Sequence, residues 1–115
     1  MAKQIDTVTV EVVRNLLMSI DEETYGIIVR SAYSTNMKER RDVCTAVIDP
    51  DGNSVAQVES LAALLGSMLS VVPNIYEKFG KENVQPGDMY IANDPYHGGG
   101  NHLPDIVIAA PAFEG

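Results

Sequence analysis

Apolar residues recur at helical spacing through the first third of the chain. Their separations of three, four and seven positions predict one long helix over residues 8–33 with an apolar stripe along one side. The stripe comprises Val13, Leu16, Leu17, Ile20, Ile27 and Ile28. Thr7 or Thr9 is suited to cap its start, and the acidic group at 21–23 is expected on the solvent-facing side. A helix of this length indicates packing against material beyond the segment.

Two short apolar runs separated by D-P-D-G predict a β-hairpin. Its strands are expected at residues 43–48 and 54–58, with the turn at 49–52. Proline sets the backbone dihedral at the second turn position and glycine accepts the left-handed one, so the turn has a physical basis. The polar segment 34–42, S-T-N-M-K-E-R-R-D, links the helix to this hairpin.

The second half of the chain alternates helical and extended patterns. Residues 61–79 are helical in pattern, with interruptions at Gly66 and Pro73, and Pro73 either kinks one helix or opens a second. Gly80 is a natural stop. A turn at 85–88 precedes a strand at 89–92, and the apolar run 106–110 predicts a buried strand. Between them, residues 93–104 hold three consecutive glycines and two prolines, which excludes a helix or strand interior.

This order of elements predicts an α+β fold with a mixed or antiparallel sheet flanking a glycine-rich loop. The length of 115 residues and the 45% apolar content fit one domain with a modest core. The chain stops directly after a strand that is expected to be buried. We therefore expect residues 1–115 to be the N-terminal segment of a larger fold.

Charge and composition exclude several classes of partner. A formal net charge of −8 argues against nucleic acid and against an anionic membrane surface. The start of the chain lacks a signal-peptide pattern, and no apolar run of about 18 residues is present, so a soluble cytoplasmic protein is expected. The single cysteine, Cys44, fits a reducing compartment, as a small buried hydrophobe or as a reactive thiol.

The glycine-rich loop gathers both histidines of the chain, His97 and His102, with Asp94 and Asp105 nearby. His102 and Asp105 are three residues apart, and imidazole and carboxylate together suit Zn²⁺, Mn²⁺ or Fe²⁺. Two ligands do not complete a site, so a third is expected from Asp94, His97 or residues outside the chain. The structural alternative is a loop in which Asp94 caps a turn and His102 bonds to backbone.

Two further features are candidates for holding an anion or substrate. Gly98, Gly99 and Gly100 remove side chains from the middle of the loop, which allows close approach of a ligand to the backbone. The pattern of a phosphate-binding P-loop is missing, however. Arg40 and Arg41 lie in a charged run that is either a solvated surface or an anion clamp.

The motifs, taken in order, resemble the hydantoinase B/oxoprolinase family. They are S-A-Y-S-T-N-M-K-E-R-R-D, D-P-D-G-N-S-V-A-Q, L-G-S-M and P-G-D-M-Y-I-A-N-D-P-Y-H-G-G-G-N-H-L-P-D-I, at residues 31–42, 49–57, 65–68 and 86–106. The resemblance extends over nearly the whole chain. Family members are much longer, so it implies that only their N-terminal part is present here.

The resemblance implies a chemistry that composition alone does not. A partner subunit of the hydantoinase A type uses ATP to phosphorylate the substrate oxygen, and the B-type subunit completes the reaction at a divalent metal. In cyclic-amide hydrolysis the B-type subunit delivers water to the activated carbon. By this likeness His102 and Asp105 match the ligand pair of H-L-P-D, with a further histidine expected downstream. Asp94 orients a ligand or binds the metal, and Arg40 or Arg41 holds the phosphate.

Several alternatives remain open at this stage. Related ketone carboxylases use an equivalent metal-bearing subunit, and a non-catalytic assembly segment is a third possibility. Residues 59–64 read E-S-L-A-A-L where the hydrolase pattern carries histidines, which favours a hydrophobic lactam or a ketone over a hydantoin. The isolated chain is expected to be inactive, because it works in a hetero-oligomer and lacks a complete ligand set.

Overall fold

The structure is a computed structural model that describes residues 5–58 and 66–114 and divides into two compact units. The first unit comprises Met1–Val47 and Ser54–Ala62, and the second comprises Ile48–Asn53 and Ala63–Gly115. The architecture is α+β, as the sequence predicts. None of the helices in the described residues has both the length and the apolar sequence needed to cross a bilayer.

The first unit is built on helix α1, Thr7–Ser31. The cap predicted at Thr7 or Thr9 is wrong, because Asp6 caps the helix. The Asp6 carboxylate accepts hydrogen bonds from the Thr9 hydroxyl at 2.6 Å and from the Thr9 amide at 3.0 Å. These two bonds lower the pKa of Asp6 from its ordinary value. Thr9 therefore contributes to the cap as the donor.

One face of α1 packs within the first unit while the predicted apolar stripe stays largely open. Val13, Leu16, Ile20 and Ile27 are exposed. The solvent-facing position predicted for Asp21 is wrong, since its side chain is only 1% exposed. The hydroxyl of Thr45, itself buried, donates to the Asp21 carbonyl oxygen at 3.4 Å. The helix thus turns the side of Asp21, rather than the centre of the stripe, toward the hairpin.

The predicted hairpin is confirmed, with β1 at Thr45–Ile48 and β2 at Ser54–Val58. Its turn is fixed by Asp49, whose Oδ1 accepts the amides of Asp51 at 2.9 Å and Asn53 at 2.8 Å. Gly52 adopts φ +90°, the left-handed conformation expected at this position. Bonds from Asn53 are the main reason that the pKa of Asp49 is lowered. A short helix α2, Thr35–Lys38, lies in the polar link before β1.

The second unit contains helix α3, Val71–Phe79, preceded by a 3-10 turn at Ser67–Ser70. Pro73 falls in the first turn of α3, where its missing amide removes no helical bond, so it opens this helix. Gly80 ends α3 at φ +83° and its amide bonds to the Tyr76 carbonyl at 2.9 Å. The early part of the helix predicted over 61–79, and the segment 59–64, lie outside the described residues.

Strands β3, Tyr90–Ala92, and β4, Val107–Ala109, form an antiparallel pair. The register sets Tyr90 opposite Ala109 and Ala92 opposite Val107. The burial predicted for the last strand is wrong on one face, because Ile108 is 58% exposed. Side chains alternate between faces of a strand, so a two-stranded sheet covered on one side leaves every second residue open. The covered side meets α3, where the rings of Phe79 and Tyr90 are 5.2 Å apart.

Candidate functional site

The loop between β3 and β4 carries the polar groups singled out in the sequence. It leaves β3 at Asn93 and begins with a turn organised by Asp94, whose Oδ1 accepts the Tyr96 amide at 2.8 Å. The Gly98 amide donates to the Asp94 carbonyl oxygen at 2.6 Å and closes this turn. The Tyr96 bond, followed by the His97 bond, holds the pKa of Asp94 below its usual value. Asp94 therefore does cap a turn, as the structural alternative proposed.

Asp94 also pairs with His97, a relationship that the sequence interpretation missed. His97 Nδ1 lies 3.1 Å from Asp94 Oδ2, and both side chains are exposed. Because Nδ1 faces the carboxylate, Nε2 is the ring nitrogen left open for another partner. The spacing of three residues equals that of His102 and Asp105, so the same motif argument would have found this pair.

His102 and Asp105 form a second, differently supported pair. His102 Nδ1 lies 3.4 Å from Asp105 Oδ1, while Asp105 Oδ2 accepts the Asn101 amide at 2.8 Å. The Asp105 amide in turn donates to the His102 carbonyl oxygen at 3.0 Å. The Asp105 side chain is 23% exposed and that of His102 is 65% exposed. The carboxylate is thus anchored in the turn and the imidazole is presented outward.

The donor set of the second pair fits a divalent metal as part of a site. A neutral histidine nitrogen and a carboxylate oxygen are ligands that Zn²⁺, Mn²⁺ and Fe²⁺ accept. The contact between ring and carboxylate also matches the way a carboxylate orients a metal-binding histidine. Within residues 5–58 and 66–114, no three histidine, cysteine, aspartate or glutamate side chains form a group able to hold a metal. Any metal here therefore requires at least one further ligand.

The three glycines of the loop are buried against their own chain. A Cβ on Gly98 would lie 2.6 Å from the Asp94 carbonyl oxygen, and one on Gly100 would lie 2.9 Å from the Asp105 Cβ. Gly99 has φ +88° and lies against the Val71 side chain. Packing inside the protein is therefore sufficient reason for all three glycines, whereas the sequence interpretation assigned them to close approach of a ligand.

Arg40 and Arg41 belong to the first unit, and the glycine-rich loop belongs to the second. Both arginines are exposed, and Arg41 has a left-handed backbone at φ +55°. Cys44, also in the first unit, is half-buried. Its Sγ accepts a hydrogen bond from Gln57 Nε2 at 3.4 Å and lies 3.7 Å from the Val58 carbonyl oxygen, which fits a structural role.

A groove of about 670 Å³ opens beside the loop within the second unit. Helix α3 forms one wall, and the covered face of the β3–β4 sheet forms the other. Asp94, His97 and Gly98 line one part of it. The sequence interpretation did not foresee this groove, because its walls depend on the strand register. The signal available was the alternation that places Tyr90, Ala92, Val107 and Ala109 on one face.

Comparison with known proteins supplies the family. The profile of Hydantoinase B/oxoprolinase matches residues 6–115. An uncharacterized protein of Methanocaldococcus jannaschii, MJ0963, is 40% identical over 94% of this chain and 19% of its own length. The 5-oxoprolinase of Dictyostelium discoideum is 36% identical over 96% of this chain and 8% of its own length.

The putative B-type subunit of a D-/L-hydantoinase from a Pseudomonas species is 30% identical over 96% of the chain and 19% of its own length. No solved structure matches the chain significantly. The chain thus spans a small part, between 8% and 19%, of these relatives. Since the family profile covers nearly all of its residues, the chain belongs to the hydantoinase B/oxoprolinase family.

Proposed function

We propose that this chain is the N-terminal part of the metal-bearing subunit of an ATP-dependent cyclic-amide hydrolase. The observation that carries the proposal is the turn in which Asp105 is fixed by backbone amides and faces His102. The names of two relatives, a 5-oxoprolinase and a D-/L-hydantoinase component, support hydrolysis of a cyclic amide. The second name also supports an assembly of several subunits, because it designates one subunit of such an enzyme.

In this proposal the reaction is divided between two subunits. An A-type partner uses ATP to phosphorylate the amide oxygen of the ring, which turns that oxygen into a leaving group. A divalent cation held by His102, Asp105 and a ligand from the remainder of the B-type fold supplies the Lewis acidity that activates water. Asp94 is a third candidate ligand, or acts as the residue that orients His97. The assembly works in the cytoplasm, where ATP is available and Cys44 stays reduced.

Residues of this chain have defined tasks in the proposed site. Asp105 fixes the direction of the His102 ring, because one carboxylate oxygen is held by amides while the other meets Nδ1. Arg40 and Arg41 are exposed guanidinium groups suited to hold the phosphate in a fork. Of the loop amides, that of Gly98 already donates to Asp94, so Gly99 and Gly100 are the remaining backbone candidates for phosphate contact.

The proposal is tested on the full-length protein assembled with its A-type subunit. We expect ring-dependent ATP hydrolysis and about one divalent metal per B-type subunit. His102→Ala should remove both the metal and ring opening. Asp49→Asn is the matched control, because Asp49 caps the hairpin turn with its carboxylate but lies outside the site.

The same experiment separates the alternatives. Turnover of a ketone that depends on bicarbonate would replace the hydrolase by a ketone carboxylase. Full activity of His102→Ala in an assembly without bound metal would instead reduce this segment to a structural role.

A further inference from the structure

The groove beside the loop has a polar end and an apolar end. Asp94, His97 and Gly98 lie where β3 runs into the loop, next to Ala92 and its partner Val107. Tyr90 and Ala109 lie two residues further along the strands, and Phe79 packs against Tyr90 there. Two residues of strand span roughly 7 Å. The apolar part is therefore about as long as a benzyl or isobutyl group.

The electrostatics of the groove disfavour an anionic occupant. Its lining contains two carboxylates, Glu77 and Asp94, and one cation, Lys78, so with neutral histidine the sum is 1 − 2 = −1. Lys78 Nζ is 5.6 Å from the centre of the Phe79 ring, where it faces an aromatic surface. A further carboxylate, Asp88, lies 3.2 Å from the Tyr90 hydroxyl. A carboxylate placed among these groups would lose hydration without gaining net positive charge.

The size and lining of the groove fit a small molecule. Small-molecule sites typically enclose about 300–1,000 Å³ and combine apolar walls with a few polar groups at one place. The groove of about 670 Å³ has both properties, and its polar groups belong to the loop that carries the proposed chemistry. An uncharged ring with an apolar substituent would place the ring near Asp94 and the substituent against Tyr90 and Ala109.

We propose that this groove selects substrates by their substituent, and that the preferred substrate is a cyclic amide carrying an uncharged apolar group. This inference rests on the proposed function and concerns the same site. It separates rings with a benzyl-like substituent from rings with a carboxylate in the same position. Ala109 is then a specificity-determining residue, because its small side chain leaves the apolar end open.

The test uses the full-length protein with its A-type subunit and three probes: hydantoin, 5-benzylhydantoin and hydantoin-5-propionic acid. The wild-type protein should show a kcat/KM at least tenfold higher for the benzyl compound than for the acid. Ala109→Leu adds three carbons to the apolar end. It should lower kcat/KM for 5-benzylhydantoin at least tenfold, while hydantoin itself changes less than twofold.

Ala110→Leu is the matched control, since it makes the same change at the next, exposed position. It should leave all three probes within twofold of the wild type. If Ala109→Leu lowers the thermal midpoint of the protein, the smaller Ala109→Val takes its place. Equal losses for hydantoin and its benzyl derivative, or a kcat/KM for the acid that matches the benzyl compound, would overturn the inference.

Failure of the proposed function is recognised separately. If no probe is hydrolysed, binding of 5-benzylhydantoin and of the acid is measured by calorimetry on the same proteins. Tenfold weaker binding of the benzyl compound by Ala109→Leu, with Ala110→Leu unchanged and the acid weaker than the benzyl compound, would retain the groove without the hydrolase. Equal binding in all three proteins, or none, would overturn the groove as well.

Discussion

Asp105 meets His102 at two points: its Oδ1 lies 3.4 Å from the ring Nδ1, and its Oδ2 lies 3.4 Å from the backbone amide of the same histidine. The stronger anchor of Oδ2 is the Asn101 amide at 2.8 Å. A single carboxylate therefore shapes the turn and directs the ring, and these two tasks can be separated by substitution.

Asp105→Asn should retain the turn and lose the metal. An amide oxygen can still accept the Asn101 bond, but an amide group cannot supply an anionic oxygen next to His102. We expect metal content in the full assembly to fall ten- to a hundredfold, the usual effect of removing such a group. Asp105→Ala should in addition lower the free energy of unfolding by about 1 kcal/mol, since the capping acceptor is lost. Stoichiometric metal in purified Asp105→Asn, measured by elemental analysis, would contradict this assignment.

Gly99→Ala should be the most damaging of three glycine substitutions. Gly99 combines φ +88° with contact to the Val71 side chain and to the Ser67 carbonyl oxygen, 3.0 Å from an added Cβ. Gly87 has φ +91° but open space around it, and Gly66 has neither constraint. We expect losses of roughly 3 kcal/mol, 1 kcal/mol and less than 0.5 kcal/mol in the free energy of unfolding, in that order. Chemical denaturation followed by circular dichroism measures the series, and an equal loss for Gly87→Ala and Gly99→Ala would refute the packing argument.

Asp21→Asn should change how stability depends on pH. Burial raises the pKa of Asp21 above its ordinary value of 3.8, although bonds from Thr45 and Val58 oppose the rise. The folded state then holds the proton more tightly than the unfolded state. The stabilisation is complete below the unfolded pKa and is lost as pH rises through the folded pKa. Relative to the wild type, Asp21→Asn should therefore gain stability toward neutral pH, by about 1 kcal/mol.

The difference between the Asp21→Asn and wild-type unfolding curves at pH 4 and pH 7 is the relevant measurement, because Asp6, Asp49 and Asp94 have lowered pKa values and act in the opposite direction. Glu22→Gln, at the next and exposed helical position, is the control and should shift both curves by less than about 0.5 kcal/mol. A constant difference between Asp21→Asn and wild type across this range would show that Asp21 is not a perturbed acid.

Arg41→Gly should separate backbone strain from any role of the guanidinium. A left-handed conformation costs a residue with a Cβ roughly 1 kcal/mol, and glycine avoids that cost. We expect Arg41→Gly to unfold at higher denaturant than Arg41→Ala, by about 0.5 to 1 kcal/mol. If Arg41 holds the substrate phosphate, both variants should show the same loss of kcat/KM. Equal stability of the two variants would remove the strain argument.

The order of elements could be predicted because it depends on local patterns. Helical spacing marked α1, and the Asp-Pro-Asp-Gly turn specified the hairpin through its own dihedral preferences. The face of α1 that packs could not be predicted in this way. Asp21 stands beside two other acidic residues, which indicates solvent, yet its burial follows from the hairpin, more than twenty residues away.

The site was predictable to the same extent. Loop composition identified Asp94, His102 and Asp105, and their spacing suggested which groups could meet. The pairing of Asp94 with His97 was equally accessible from spacing and was missed. The groove was not accessible, because the side chains that line it come together only through the register of β3 with β4.

The burial of Gly98, Gly99 and Gly100 has a consequence for evolutionary comparison. Any side chain at these positions would collide with the protein itself, so purifying selection would keep the triplet whether or not the loop performs chemistry. Invariance of the glycines across homologues would therefore be uninformative about catalysis. Divergence at exposed His97 and His102 would instead distinguish active lineages from those that retained only the scaffold.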